Sequence, residues 1–151
     1  MDTWDSYFLK IAKVVSTKSK DPSTKHGCVI VGPTHEIRTT GYNGFPRGMV
    51  DDERYNNREV KYMFVEHAER NAIYNASRYG ISLDGCTLYV TGTPCNDCCR
   101  GIIQSGIVRV VMLEDSEEFF KRWKESIKCT LQMFNECHIE YEYRCVEDLD
   151  L

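Results

Sequence analysis

The stretch His67-Ala68-Glu69 is followed downstream by Pro94-Cys95-Asn96-Asp97-Cys98, and these two stretches decide how the rest of the sequence is interpreted. The histidine and the two cysteines provide three ligands of the types that bind zinc tetrahedrally. Three protein ligands leave the fourth position for a water, which is typical of catalytic zinc sites. The glutamate lies where its carboxylate can carry protons beside the metal without ligating it. The two stretches therefore predict one catalytic zinc per chain, with Glu69 as the general acid and base.

The pair Cys95 and Cys98 is a weak signal by itself, because the same spacing occurs in closed structural zinc sites and in redox pairs. A closed structural site would require a fourth Cys or His. Here the thiols are instead paired with a His-x-Glu sequence at the start of a predicted helix, and a proline precedes the first cysteine. The joint pattern is the known signature of zinc nucleobase deaminases, so it favours the catalytic interpretation.

The length and charge of the chain limit the possible functions. A chain of 151 residues is long enough for one domain with a substantial core and too short for two ordinary ones, so we expect a single domain spanning 1–151. The formal net charge is −4, and the 19 Lys and Arg residues are scattered without a basic stripe. This distribution disfavours polymeric nucleic acid as a partner. A nucleotide monomer remains suitable, since it requires only one or two local cations.

The chain contains eight cysteines, but its first residues show no secretion signal and no apolar run approaches the length of a membrane span. We therefore expect a cytoplasmic protein with reduced thiols and no membrane partner. Six cysteines outside the predicted site are expected to be mostly small core residues: Cys28, Cys86, Cys99, Cys129, Cys137 and Cys145. A second, structural zinc that uses some of these with His26, His35 or His138 remains an alternative.

The first third of the chain predicts one helix and a hairpin. Apolar residues recur at helical spacing over 4–15, and β-branched runs at 28–31 and 37–42 predict two antiparallel strands. Residues 43–62 are rich in glycine, proline and charge and show no periodicity. Such a segment is long for a loop in a compact domain, so we expect it to have a functional or contact role.

The rest of the chain alternates between helical and strand patterns. The predicted elements are a helix over 66–79, a strand over 86–91, a short helix ending near 105, a strand over 107–113, a helix over 116–135 and a strand over 138–144. Strand–helix–strand units of this length favour parallel pairing through right-handed crossovers. The pattern predicts an α/β fold with a five-stranded mixed sheet and helices on both faces. The zinc site should lie at the carboxyl ends of strands.

Four segments resemble the cytidine and deoxycytidylate deaminase superfamily, and most closely its deoxycytidylate (dCMP) deaminase branch. They are residues 25–31, 41–48, 67–73 and 93–98. The Gly-Tyr-Asn-Gly sequence at 41–44, followed by Pro46, Gly48 and Asp51-Asp52, is the stretch that resembles the dCMP branch specifically. The resemblance implies a cytidine deaminase-like three-layer α/β/α fold. It also implies hydrolytic deamination of dCMP to dUMP with release of ammonia, feeding thymidylate synthesis.

The resemblance also implies contacts beyond the zinc. Asn43 would contact the sugar, and Gly41, Tyr42 and Gly44 would belong to a loop that binds deoxynucleoside triphosphates. It further implies activation by dCTP and inhibition by dTTP, with Mg²⁺ as a companion of the triphosphate effector, in a homohexamer.

Some substrate contacts are suggested by the residues themselves. The backbone N–H groups near Ala68 and Cys95, at two predicted helix starts, are candidate donors toward the pyrimidine or the nucleophile. Lys25, Arg47 and Arg109 are candidate phosphate ligands without a ranking.

Other functions fit parts of this pattern. One alternative is a deaminase of the same fold that acts on cytidine, on a guanine or riboflavin-pathway base, or on tRNA adenosine. A tRNA enzyme should be basic, and a cytidine deaminase typically has a tight connection where this chain has a long predicted helix. The alternative from another class is a zinc-stabilised binding module without catalysis. In such a module Glu69 would be superfluous.

Overall fold

The structure is a computed structural model, and it describes residues 3–149, which form a five-stranded mixed sheet with helices on both faces. The strands are β1 (Gly27–Val31), β2 (Ile37–Tyr42), β3 (Thr87–Val90), β4 (Arg109–Leu113) and β5 (Glu140–Arg144). The helices are α1 (Trp4–Ser16), α2 (Arg58–Phe64), α3 (Ala68–Arg78), α4 (Asn96–Gln104) and α5 (Glu117–Glu136). Two 3₁₀ helices cover Glu53–Asn56 and Val146–Leu149.

The sheet has the strand order β2-β1-β3-β4-β5. The β1 strand pairs antiparallel with β2 and β3, whereas β3–β4 and β4–β5 pair in parallel. The parallel pairs are the two strand–helix–strand units, with α4 and α5 as the crossovers. The predicted hairpin and the predicted mixed sheet are both confirmed.

The alternation of side chains along β4 divides the core into two layers. Val110 and Met112 pack with residues of α3, α4 and α5 on one face of the sheet. Val111 and Leu113 pack on the opposite face with Phe8 of α1 and with the C-terminal 3₁₀ helix. Both faces of this strand are therefore buried, as its almost unbroken apolar sequence predicted. The three-layer α/β/α arrangement is confirmed.

Two glycines allow the helices to lie close to the sheet. A Cβ atom on Gly27 in β1 would collide with backbone atoms of Ala12 and Ser16 in α1. A Cβ atom on Gly41 in β2 would collide with backbone atoms of Ala68 and Ala72 in α3. Because backbone atoms cannot move aside as a flexible side chain can, each contact requires glycine. The Gly41 contact determines how close the beginning of α3 lies to the sheet.

The segment 43–62 is more ordered than its sequence predicted. It contains the 3₁₀ helix Glu53–Asn56 and most of α2. The Asp52 side chain accepts a hydrogen bond from the Arg54 backbone N–H, and Asn57 caps α2 by accepting from the Val60 backbone N–H. A seven-residue helix covers too few turns to display a period, so only its cap residue could have revealed it.

The cysteine prediction was only partly right. Cys28, Cys86 and Cys99 are buried, but Cys129 and Cys137 are exposed on and just after α5, and Cys145 is half-buried. Helical spacing puts Cys129 on the solvent side of α5, and Cys137 is the C-cap residue of this helix, which residue type alone could not reveal. Among residues 3–149, no helix has the length and apolar character that crossing a bilayer requires.

Candidate active site

The end of β2 holds the beginning of α3 in place. Gly44 and Glu66 exchange two backbone hydrogen bonds of 3.1 and 2.8 Å. The Asn71 side chain then donates to the Tyr42 carbonyl at 2.8 Å. His67 is the N-cap residue of α3 but makes no side-chain capping bond, so its ring is free for another role. The helix therefore begins with His67 and Glu69 at a fixed position over the edge of the sheet.

A second helix start is held by Asp115, two residues after the end of β4. The Asp115 carboxylate accepts hydrogen bonds from the Thr93 backbone N–H, at 2.9 Å, and from the Thr93 hydroxyl. These bonds hold the turn that leads through Pro94 into α4. Cys95 is the N-cap residue of that helix, and its sulfur accepts from the Cys98 backbone N–H at 3.4 Å. Both thiols therefore lie at the N-terminus of α4.

The two helix starts bring three metal-binding side chains together. His67 Nδ1 lies 3.3 Å from Cys95 Sγ and 3.5 Å from Cys98 Sγ, and the ligand atoms all lie within 4.8 Å of one another. Zinc–sulfur bonds of about 2.3 Å and zinc–nitrogen bonds of about 2.0–2.1 Å give nitrogen–sulfur separations of roughly 3.5 Å around a tetrahedral ion. The cluster therefore fits zinc. In the described part of the chain, this group has no fourth ligand and no second group of this kind occurs.

The surroundings change the protonation of the cluster and of the carboxylate beside it. Hydrogen bonds with Cys98 and His67 lower the pKa of Cys95, which favours the thiolate form that binds metal. Glu69 is only 5% exposed, and burial raises its pKa to about 7. A carboxyl group with a pKa near 7 can both take up and release a proton at neutral pH.

A pocket lies over the cluster. Its floor is formed by Glu69, His67 and Cys95, and α5 contributes an apolar wall made of Phe119, Trp123 and Ile127. Further lining residues come from the segment before β1 and from α2. A second, outer cavity adjoins this inner pocket, and the two share several lining residues: Ser23, Thr24, His26, Arg58, Phe119 and Arg122.

Residues 2–114 match the family described as the cytidine and deoxycytidylate deaminase zinc-binding region. The chain belongs to this family. It is 41% identical over 137 residues to an uncharacterised deaminase of the luxG 3′ region of Aliivibrio fischeri, covering 91% of this chain and 90% of the relative. It is 39% identical over 118 residues to human deoxycytidylate deaminase, covering 74% of this chain and 65% of the human protein. The chain is thus a deaminase, and it spans about two thirds of the length of the human relative.

A solved structure has the same fold. The dCMP deaminase of cyanophage S-TIM5, in complex with dCMP and dUMP, superimposes with a TM-score of 0.72 at 28% identity. The comparison covers 91% of this chain and 94% of the phage chain. The cytidine deaminase-like fold that the sequence predicted is therefore confirmed.

Three of the residues predicted from the deaminase motifs lie at or near the pocket. Ala68 and Asn43 line the inner pocket, and Lys25 lines only the outer cavity. The Asn43 side chain accepts from the His26 backbone N–H at 2.8 Å and donates to the Thr24 carbonyl at 2.9 Å. Asn43 therefore holds the segment before β1 against the end of β2. The Lys25 ammonium donates to the Ser19 carbonyl at 2.7 Å.

The two other phosphate candidates lie elsewhere. Arg47 is exposed, lines neither cavity and donates to Asn75 of α3 at 2.7 Å. Arg109 is the first residue of β4, so it lies at the opposite end of the strands from the pocket. There Arg109 donates two hydrogen bonds of 2.9 and 2.8 Å to the Asp5 carboxylate. Arg109 therefore links α1 to the sheet.

The predicted effector residues lie outside both cavities, along the end of β2. Gly41 is covered by α3, Tyr42 is 44% exposed, and Gly44 pairs with the residue directly before His67. They are connected to the metal cluster through the beginning of α3.

Sequence patterns did not reveal two arginines and one histidine that line the pocket. Arg58 of α2 and Arg122 of α5 line both cavities, and His26 lies where the cavities meet. Arg58 belongs to the segment 43–62, whose sequence shows no periodicity, and Arg122 lies on α5 outside the apolar positions of that helix. The sequence offered one signal for each arginine. Arg58 directly follows Asn57, a residue type that caps helices, and Arg122 lies one helical turn after Phe119 and so on the same side of α5.

The metal cluster leads to a direct prediction. The deaminase should contain one zinc per chain, and Cys95→Ala should abolish stoichiometric binding, because two remaining ligands no longer complete the site. Elemental analysis of the purified proteins measures this. Cys99→Ala is a matched control, since Cys99 is the neighbouring buried cysteine outside the cluster. A full complement of zinc in Cys95→Ala would disprove the assignment.

Proposed function

We propose that this deaminase catalyses the zinc-dependent hydrolysis of dCMP to dUMP and ammonia. The observation that carries the proposal is the polarity of the pocket along its length. The buried Glu69 beside the metal cluster forms its floor, and the exposed residues Arg58 and Arg122 line its solvent-facing side, which we call the mouth. A pyrimidine on the floor with a phosphate at the mouth matches this arrangement. The dCMP deaminase structure that resembles the chain holds dCMP and dUMP.

The resident metal would be held by His67, Cys95 and Cys98. When bound there, zinc lowers the pKa of water toward about 7 and so supplies a nucleophile at neutral pH. The thiolate of Cys95 and the ring of His67 are held ready for the ion by the two helix starts. This arrangement costs little reorganisation on metal binding.

The proton transfers are assigned to Glu69. During hydrolysis a bond forms between C4 of the cytosine and the oxygen of water, and the C4–N bond breaks so that the amino group leaves as ammonia. The Glu69 carboxylate takes a proton from the attacking water and delivers it to N3. It then carries a second proton from the same oxygen to the departing nitrogen. Burial raises the pKa of Glu69 to about 7, which suits both transfers.

The other pocket residues orient the nucleotide. The Ala68 backbone N–H at the start of α3 points out of a helix N-terminus and can donate to the pyrimidine. The Asn43 amide retains one N–H and one lone pair beyond its two internal bonds, which supports the proposed sugar contact. Phe119, Trp123 and Ile127 provide an apolar cover that keeps bulk water from the base.

The 5′ phosphate is assigned to the mouth of the pocket. Arg58 is exposed and has no hydrogen-bond or ion-pair partner among residues 3–149, so its guanidinium group is available. Arg122 is paired with Glu118 at 3.3 Å, a contact that a phosphate could replace. Lys25 lines the outer cavity nearby, which supports an auxiliary role. Arginine suits this role because its planar group can bind phosphate with two parallel hydrogen bonds.

We also propose that dCTP activates and dTTP inhibits the enzyme within a homohexamer. The support is the position of residues 41–44 between the surface and the beginning of α3. Gly41 packs on the backbone of Ala68, and Gly44 pairs with Glu66. A ligand that changed the path of this segment would therefore move His67 and Glu69. Mg²⁺ would accompany the triphosphate of the effector.

The proton-transfer assignment predicts that Glu69→Gln retains zinc and fold but loses at least about 100-fold in kcat for dCMP. The amide has nearly the same shape, but it cannot take up the proton of water. Ammonia release and zinc content should be measured on the same sample. Glu125→Gln, an exposed glutamate on α5, is the control and should behave like wild type. Normal turnover by Glu69→Gln would rule out the mechanism.

The phosphate assignment predicts that Arg58→Gln lowers kcat/KM for dCMP by about ten- to a hundredfold, since a charge-assisted hydrogen bond contributes roughly 1.5–3 kcal/mol. The effect on deoxycytidine should be much smaller, because this substrate has no phosphate. Wild type should prefer dCMP to deoxycytidine. Arg78→Gln on α3 is a suitable control, since Arg78 lines neither cavity. Equal losses on both substrates would contradict a phosphate contact.

The regulatory proposal predicts that each effector changes the apparent affinity for dCMP and the shape of the saturation curve. A ligand can shift such an assembly only through different affinities for its two states. Initial rates should be measured over a range of dCMP concentrations with dCTP, with dTTP and with neither. Hyperbolic curves that superimpose under all three conditions would remove the regulatory proposal and leave the deaminase proposal intact.

A further inference from the structure

His26 lines the nucleotide pocket, and one of its ring nitrogens has no partner in the described structure. Its ring lines both the inner pocket and the outer cavity. The Nε2 atom is buried and has no hydrogen-bond partner within residues 3–149. A buried polar atom without a partner is unfavourable, so such an atom beside a binding pocket calls for a partner from the ligand.

The other ring nitrogen is held by Thr91. His26 Nδ1 lies 3.0 Å from the Thr91 hydroxyl oxygen, and this oxygen already accepts from the Gly27 backbone N–H at 3.2 Å. Within the described residues the hydroxyl proton of Thr91 has no other acceptor. Thr91 therefore donates to Nδ1, and the proton of the neutral ring lies on Nε2.

The ring is neutral and closely packed. Burial lowers the pKa of His26 to about 4, so the imidazole carries no charge at neutral pH. A Cβ atom placed on Gly92 would lie 3.0 Å from His26 Cε1, and the Phe119 ring meets the imidazole edge to face at 5.5 Å between centroids. Because Nδ1 is directed at Thr91, Nε2 is the ring nitrogen that remains for a partner from the ligand.

The position of His26 indicates which part of the ligand it would meet. Glu69 forms the floor of the inner pocket, and Arg58 and Arg122 line both cavities at the mouth. His26 lines both cavities, and its exposure lies between that of the buried Glu69 and that of the exposed Arg58 and Arg122. If a nucleotide binds with its base on the floor and its phosphate at the mouth, its pentose and 5′ ester oxygen lie near His26.

We propose that His26 is a substrate-binding residue whose Nε2–H donates a hydrogen bond to an oxygen of the pentose or of its 5′ phosphate ester. This inference rests on the proposed pyrimidine nucleotide substrate. His26 thereby contributes to nucleotide affinity without taking part in proton transfer.

The test is a pair of substitutions that separate the two ring nitrogens. The amide of His26→Asn reaches the position of Nδ1 and can keep the Thr91 contact, but it has nothing at the position of Nε2. The longer side chain of His26→Gln brings an amide N–H to the position of Nε2. Binding of dUMP should be measured by calorimetry, alongside steady-state rates with dCMP and deoxycytidine.

We expect His26→Asn to weaken dUMP binding by about five- to tenfold and to raise KM for dCMP by a similar factor, with kcat little changed. His26→Gln should recover most of the affinity. A loss of equal size on deoxycytidine assigns the bond to the pentose, and a loss restricted to dCMP assigns it to the phosphate ester. Unchanged dUMP affinity in His26→Asn would overturn the proposal, as would equal losses in both variants, since these indicate a packing role.

A measurement on the wild-type protein covers the case in which His26→Asn does not fold. Nitrogen-15 correlation spectra of the histidines should show the His26 proton on Nε2, with a resonance that moves when dUMP is added. A proton on Nδ1, or an Nε2 chemical shift that does not change when dUMP is added, would overturn the inference. The proposed function is judged separately by ammonia release from dCMP, which the binding and spectroscopic measurements do not require.

Discussion

His67 Nδ1 and Cys95 Sγ lie 3.3 Å apart although 28 residues separate them in the chain, and much of the surrounding structure holds this distance. Each residue is the N-cap of its helix, so the two helices must begin beside one another above the same edge of the sheet. The close contact between Gly41 and α3 fixes the position of the first helix. The hydrogen bonds that Thr93 donates to Asp115 fix the position of the second helix. Parallel pairing of β3 and β4 then brings these parts to one edge.

Burial of Glu69 connects the packing of the domain to its chemistry. An ionised carboxylate is costly to remove from water, and this cost raises the pKa of Glu69 to about 7. The closeness of α3 to the sheet, which Gly41 permits, is therefore a condition for the proton affinity that deamination requires.

The pocket also shows how a net acidic protein can bind an anionic ligand. The net charge of the chain is −4, yet Arg58 and Arg122 both line the pocket. The buried Lys61 in α2 pairs with Asp21 at 3.1 Å and ties this helix to the segment before β1. Local placement of a few cations, and not the overall charge, decides which ligands the site can accept.

Much of this protein was determined by sequence alone. The spacing of apolar residues predicted the order of the main helices and all five strands, because periodicity is a local property that burial imposes. The grouping of His67, Cys95 and Cys98 beside Glu69 was also predictable, since zinc chemistry requires particular residue types at short, fixed spacings.

Only the tertiary structure decided which other side chains reach the pocket. The sequence alone does not distinguish between three of its arginines. In the structure Arg47 binds Asn75 of α3, Arg58 lines the pocket, and Arg109 binds Asp5 at the far end of the strands. The same holds for His26, whose Nε2 depends on a contact with Thr91, 65 residues away. The direction of a side chain depends on contacts between distant segments, and these exist only once the sheet has assembled.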